Sequence, residues 1–245
     1  MAGVSIEDIV EGIVAYERKN WFADYLYSKT LDESGYVRDE LDNITPEYLD
    51  QIVRPYLVCW GQMATIVNNR HIEWKELADG LREKRNSLRE LANYNIMCDF
   101  NEKVKENIEN LYAALNLKWP YTNNKAKERT AVIGPTAVSK ILHLLNPRLF
   151  VMWDKKIRGI IYENTPESYT KFLIKQRETI ERALELENVC IKSDDEVAKL
   201  LRSRLSEHLT GQRYGDRILT ECNCKKLAKL IDEYNVTNPT PNVVS

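Results

Sequence analysis

The stretch Arg129-Thr-Ala-Val-Ile-Gly134-Pro-Thr136-Ala-Val-Ser-Lys140-Ile-Leu-His143-Leu-Leu-Asn-Pro147-Arg-Leu-Phe150-Val-Met-Trp153-Asp154 decides how this chain is read. Gly134-Pro135 marks a tight turn, because glycine accepts a positive φ or a close neighbour and proline suits the first helical position. The pattern predicts a short helix over Lys125 to Val132, a second over Thr136 to Leu145, and a mostly helical return from Arg148 to Ile161 beyond Asn146-Pro147. The amides at the start of the second helix have no partner within the helix and form a ready anion site. Lys140, one turn further on, would reinforce its positive end.

Outward from this block the spacing of apolar residues is helical. Ile6, Ile9, Val10, Ile13 and Val14 recur at threes and fours, with Ser5 and Asp8 set to cap the start. Thr45-Pro46-Glu47 and Thr165-Pro166-Glu167 each place a capping hydroxyl before a proline, opening helices that run to about Val67 and Leu186. Ile72 to Asn93, Asn101 to Leu115, Asp194 to Leu209 and Arg217 to Tyr234 complete the set. No repeat recurs, and no segment alternates as a half-buried strand does. The fold class predicted is all-α, a compact multi-helix array with a helix-hairpin-helix-like centre, in one domain over residues 1–236. Residues 237–245 read as a tail, since they hold two prolines and no periodicity.

The chain has 245 residues, 43% of them hydrophobic. That is enough to bury a large core, and long enough for an enzyme. Its formal net charge of -2 gives no global pull toward nucleic acid or anionic lipid, so any nucleic-acid surface must be local. The apolar run Ile52 to Val67 is broken by Arg54, Pro55, Gly61 and Gln62, which argues against a membrane span. The start Met-Ala-Gly-Val leads directly into an amphipathic segment without a secretion-signal pattern, so a cytoplasmic or nucleoid-associated protein is expected. Cys59, Cys98, Cys190, Cys222 and Cys224 read as buried thiols. Cys222 and Cys224 lack the spacing of a structural zinc site, and neither a metal nor a cofactor is expected.

The central block resembles the helix-hairpin-helix signature of the base-excision DNA glycosylase superfamily, over about residues 125–161. Val132-Ile133-Gly134 falls on the family's hairpin, with Val132 where its first glycine stands. Thr136 falls on the position that is lysine in the strand-cleaving members, and Asp154 on the catalytic aspartate. The resemblance implies double-stranded DNA as partner. It implies phosphate contacts from Val132, Ile133, Gly134, Thr136 and Lys140, with Lys155 and Lys156 on the backbone beyond. Asp154 would stabilise positive charge developing on the deoxyribose as the base departs. With threonine at 136, the glycosylase implied is monofunctional. The four-cysteine iron-sulfur loop of one subgroup is missing.

Trp119 and Tyr121, just before the hairpin, are candidates for stacking on a base, and Gln62 and Trp153 are further pocket candidates. A second reading stays open, in which the fold is kept and the chemistry is not, leaving a non-catalytic interaction or DNA-binding module. His143, between Leu142 and Leu144, reads as a core histidine rather than a ligand. Ser139 lacks the context of a nucleophile, and no phosphate loop, metalloprotease motif or calcium loop occurs. The basic run Arg202, Arg204, Arg213, Arg217, Lys225 and Lys226 is interleaved with acids and reads as a solvated face.

Overall fold

Ser5 and Asp8 close the first helix reciprocally: the Ser5 hydroxyl accepts the Asp8 N–H at 3.1 Å and Asp8 accepts the Ser5 N–H at 2.8 Å. The computed structural model describes residues 4–19, 27, 44–58, 73–122, 128–158, 163–212, 215–223 and 225–238. In chain order the helices are α1 (6–19), α2 (Pro46–Val58), α3 (Trp74–Glu83), α4 (Arg85–Leu91) and α5 (Glu102–Leu115). Two strands follow, β1 (Lys118–Thr122) and β2 (Glu128–Val132). Then come α6 (Pro135–Leu145), α7 (Lys155–Arg158), α8 (Pro166–Leu186), α9 (Asp194–Leu209), α10 (Gly215–Asn223) and α11 (Leu227–Thr237). The all-α class holds, with one two-stranded hairpin as the departure from it among the described residues.

The caps explain where helices begin. Thr45 and Thr165 accept the N–H groups of Tyr48 and Ser168, each at 3.1 Å, and Asn101 accepts that of Val104 at 3.0 Å. Boundaries correct the sequence reading in several places. The segment expected as one helix over Ile72 to Asn93 is two, meeting at Lys84. Arg217 to Tyr234 is likewise two helices, α10 and α11. Thr237, assigned to the tail, ends α11 and donates its hydroxyl to the Gly12 carbonyl at 3.1 Å. The expected extension of α2 to Val67, and residues 239–245 of the tail, lie outside the described residues.

The largest correction falls on the central block. Residues 128–132, read as the end of a helix, form β2, paired antiparallel with β1 so that Trp119 faces Ala131 and Tyr121 faces Arg129. Aromatic and β-branched side chains on both segments favour a ribbon, and in a two-stranded ribbon both strands are edges, where Pro120 is tolerated. Ile133 continues the ribbon by donating its N–H to the Leu117 carbonyl at 3.0 Å. The block is therefore strand, turn and helix. Beyond α6 the expected helical return is a turn over residues 147–149, has no regular structure over 150–154 and, among the described residues, is helical over α7.

Buried apolar residues form one cluster from Ile6 to Ile231. α5 packs on α3, α4, α6 and α8; α2 on α3 and α6; α9 on α10 and α11; and α11 meets α7. α1 crosses α11 closely at Gly12, where a Cβ would lie 2.8 Å from the Tyr234 ring and 2.9 Å from the Asn238 amide. Near the middle, Tyr112, Phe150, Trp153, Tyr169 and Phe172 stack into an aromatic layer, with Trp153 5.4 Å from Tyr169 and 5.8 Å from Phe172 between ring centres. No helix among the described residues is long and apolar enough to cross a membrane.

Candidate functional site

Gly134 caps α6 in an extended conformation, with no side-chain bond to the first turn. A Cβ on Gly134 would meet nothing within 4 Å among the described residues, so there is open space beside this glycine. Val132, Gly134, Pro135 and Thr136 are half-buried. Two expected phosphate contacts are corrected here. The Ile133 amide is committed to Leu117, and its side chain is buried. Lys140 is also buried, because it follows Ala137 and Val138 onto the inward face of α6 and points into the protein rather than to solvent. Lys155 is exposed; the side chain of Lys156 lies outside the described residues, as do those of Trp119 and Tyr121 and the whole of Gln62.

Asp154 is half-buried at the start of α7, and its Oδ1 accepts the Ile157 N–H at 2.9 Å. One hydroxyl links it to the first turn of α6. Ser139 donates to the Thr136 carbonyl at 3.1 Å and accepts the Trp153 N–H at 2.8 Å, immediately before Asp154. Trp153 is wholly buried in the aromatic layer, which corrects its reading as a pocket residue: a base could reach its ring only if the layer opened. Sequence reasoning missed the part played by Ser139. The available signal was a hydroxyl in the middle of a mostly apolar helix, directly after Ala137-Val138.

Behind Asp154 lies a buried ionic group that sequence reasoning also missed. Lys225 binds Glu17 and, at 2.7 Å, Glu233. Lys229 binds Glu233 at 3.0 Å and Asp232 at 3.3 Å, and lies over the rings of Tyr16 and Tyr27 at 4.5 and 5.5 Å. Burial pushes Asp232 up to about 7, opposed by Lys229 and reinforced by Glu233 and Asp154. Burial holds Lys140 down at about 8, against the attraction of Asp232 and Asp154. Lys140, Asp154 and Asp232 are thus within electrostatic reach of one another. Glu17, Cys222 and Glu233 bring metal-ligand atoms within 4.8 Å of one another, but the cation these carboxylates meet is Lys225. This buries Lys225, expected on a solvated basic face.

His143 is a core residue, as read from its neighbours. It bonds the Phe150 carbonyl through Nδ1 and the Tyr27 hydroxyl through Nε2 at 2.6 Å, and burial lowers it to about 3. Among the described cysteines, Cys222 is buried and Cys98 half-buried, while Cys190 is exposed, contrary to its reading as a buried thiol. A cleft of about 110 Å³ opens at the other end of α6, lined by Leu88, Leu91, Ala92, Leu145 and Phe150 with Arg89 and Asn146. The Asn146 amide there is already spent on the carbonyls of Leu91 and Tyr94. Compared with protein-family models, with curated proteins and with solved structures, the chain matches none.

Proposed function

We propose that this protein binds duplex DNA at the open start of α6 and removes a base by using the Asp154 carboxylate, without cutting the strand. The observation that carries the reading is the junction of Asp154 with that turn. The Ile157 N–H orients a half-buried carboxylate, and Ser139 ties the backbone of the preceding Trp153 to the Thr136 carbonyl, in the first turn of the helix at whose start a phosphate could rest. A carboxylate held in one orientation beside a bound sugar favours the cationic character that develops there as the glycosidic bond breaks. Thr136, at the position where a strand-cleaving relative would carry lysine, offers no amine to that sugar.

One observation favours the second reading, a DNA-binding or interaction module without chemistry. β2 occupies the place of the first helix, and the Ile133 amide is bonded to Leu117, so fewer backbone donors remain at the turn than a phosphate grip uses. Single-turnover base release separates the two, from duplexes carrying 8-oxoguanine, its adenine mispair, uracil or hypoxanthine. The catalytic reading expects release that falls by about a hundredfold or more in Asp154→Asn, with the strand intact until alkali is added. Release from none of the duplexes, with binding that still weakens steeply as salt rises, would leave the module.

A further inference from the structure

We propose that Ser139 is a positioning residue of this site: its hydroxyl fixes where Asp154 stands relative to the first turn of α6. The role in base release rests on the catalytic reading above; the positioning itself does not. Ser139 is fully buried among Ala137, Val138, Ile141 and Leu142, where an oxygen is unfavourable unless it is bonded. Its bond back to the Thr136 carbonyl is a common arrangement for a helical serine and orients the remaining lone pairs outward. One of these takes the Trp153 N–H at 2.8 Å.

Residues 150–154 have no regular structure, so their position depends on such attachments. The Val151 carbonyl accepts the Tyr169 hydroxyl at 2.9 Å, and the Trp153 ring is packed against Tyr169 and Phe172. Both anchor the segment to α8. Two bonds anchor it to α6, the helix whose start would hold the DNA: His143 Nδ1 to the Phe150 carbonyl at its beginning, and Ser139 to the Trp153 N–H beside Asp154. Alanine at 139 would preserve nearly all the packing and delete this link, leaving the Trp153 N–H without its acceptor.

The test uses the full chain with Ser139→Ala, Ser139→Cys and Ser139→Thr. Cysteine keeps the volume with a poor acceptor, so it serves where alanine does not fold, and threonine keeps the hydroxyl. Two quantities are read: hydrogen exchange at the Trp153 amide by nuclear magnetic resonance, and the single-turnover rate of base release alongside duplex affinity. We expect exchange at Trp153 to quicken by tenfold or more in the alanine and cysteine variants. The rate should fall by about ten- to a hundredfold in both, since small misplacement of a reacting group has effects of that size. Duplex affinity should stay within about twofold, and threonine should restore both readings. An unchanged Trp153 amide would overturn the positioning whether or not base is released. Faster exchange in a protein whose wild type releases no base would keep the positioning and discard the catalytic reading. Rate and affinity falling together, unrescued by threonine, would make Ser139 merely structural.

Discussion

Asp154 stands between two buried regions made of opposite materials. One is the aromatic layer of Tyr112, Phe150, Trp153, Tyr169 and Phe172. The other is the ionic group of Glu17, Lys225, Lys229, Asp232 and Glu233, which joins α1 to α11. Stacked rings lose stability roughly in proportion to the contact removed. A buried charge has no such gradation, because deleting one partner strands the other in a medium that does not solvate it. The two sides of the site should therefore fail in different ways.

Lys225→Met gives the largest effect. Removing this ammonium leaves Glu17 and Glu233 facing each other, at a cost of about 4 kcal/mol in urea unfolding. Adding Glu17→Gln to that variant should recover most of the loss, since Glu233 keeps Lys229 as its partner. A double variant as unstable as the single would mean that Lys225 acts by packing, and the contrast with the aromatic side would disappear.

The pH dependence probes the same region more finely. Asp232, at about 7 in the folded protein against an ordinary 3.8, holds a proton that the unfolded chain has released; its favourable contribution is present below about pH 4 and lost as pH rises to 7. His143 works in the opposite direction. At about 3 against an ordinary 6.5, it stays neutral while the unfolded chain takes up a proton, so stability is lost as pH falls from about 6.5. The two slopes oppose each other in wild type. The unfolding free energy of wild type minus that of Asp232→Asn should fall by up to about 1.4 kcal/mol per pH unit between roughly pH 4 and 7. A difference that stays flat would show that Asp232 is not protonated in the folded protein near neutrality.

Much of the helical frame was legible in the sequence, because Thr45, Asn101 and Thr165 announce helix starts by local chemistry and the apolar spacing marks the inward faces. The hairpin was not. Lys125 to Val132 is charged and short, and what makes residues 128–132 a strand is pairing with β1 together with the Leu117–Ile133 bond, neither of which is local. The ionic group was hidden for a related reason. Lys225, Lys229 and Glu233 are four residues apart, a spacing that on an isolated helix marks a solvated face. The packing of α11 against α7 and α9, and against α1 at Gly12, turns it inward. In the candidate site, Asp154 and the Gly134 turn were named from sequence. The inward turn of Lys140, the burial of Trp153 and the Ser139 link depend on how α6 is seated.

On the aromatic side, Phe172→Ala should cost about 3 kcal/mol, and Phe172→Leu clearly less, since leucine fills much of the space between Trp153 and Tyr169. Unfolding midpoints of the pair would show the gradation that the ionic side lacks. Equal losses from alanine and leucine would point to a specific demand for the ring.

Tyr169→Phe gives the smallest effect and separates charge from burial. Its hydroxyl donates to the Val151 carbonyl at 2.9 Å from a fully buried position, so it is as enclosed as Lys225. Phenylalanine keeps the ring and its stacking on Phe150 and Phe172 while removing one neutral donor. A neutral hydrogen bond contributes about 1 kcal/mol net, and the carbonyl left behind carries no full charge. Unfolding in urea should therefore show a loss near that value, well below that of Lys225→Met. A loss as large as the lysine's would mean that burial of any polar group, rather than of charge, makes one side of Asp154 brittle and the other graded.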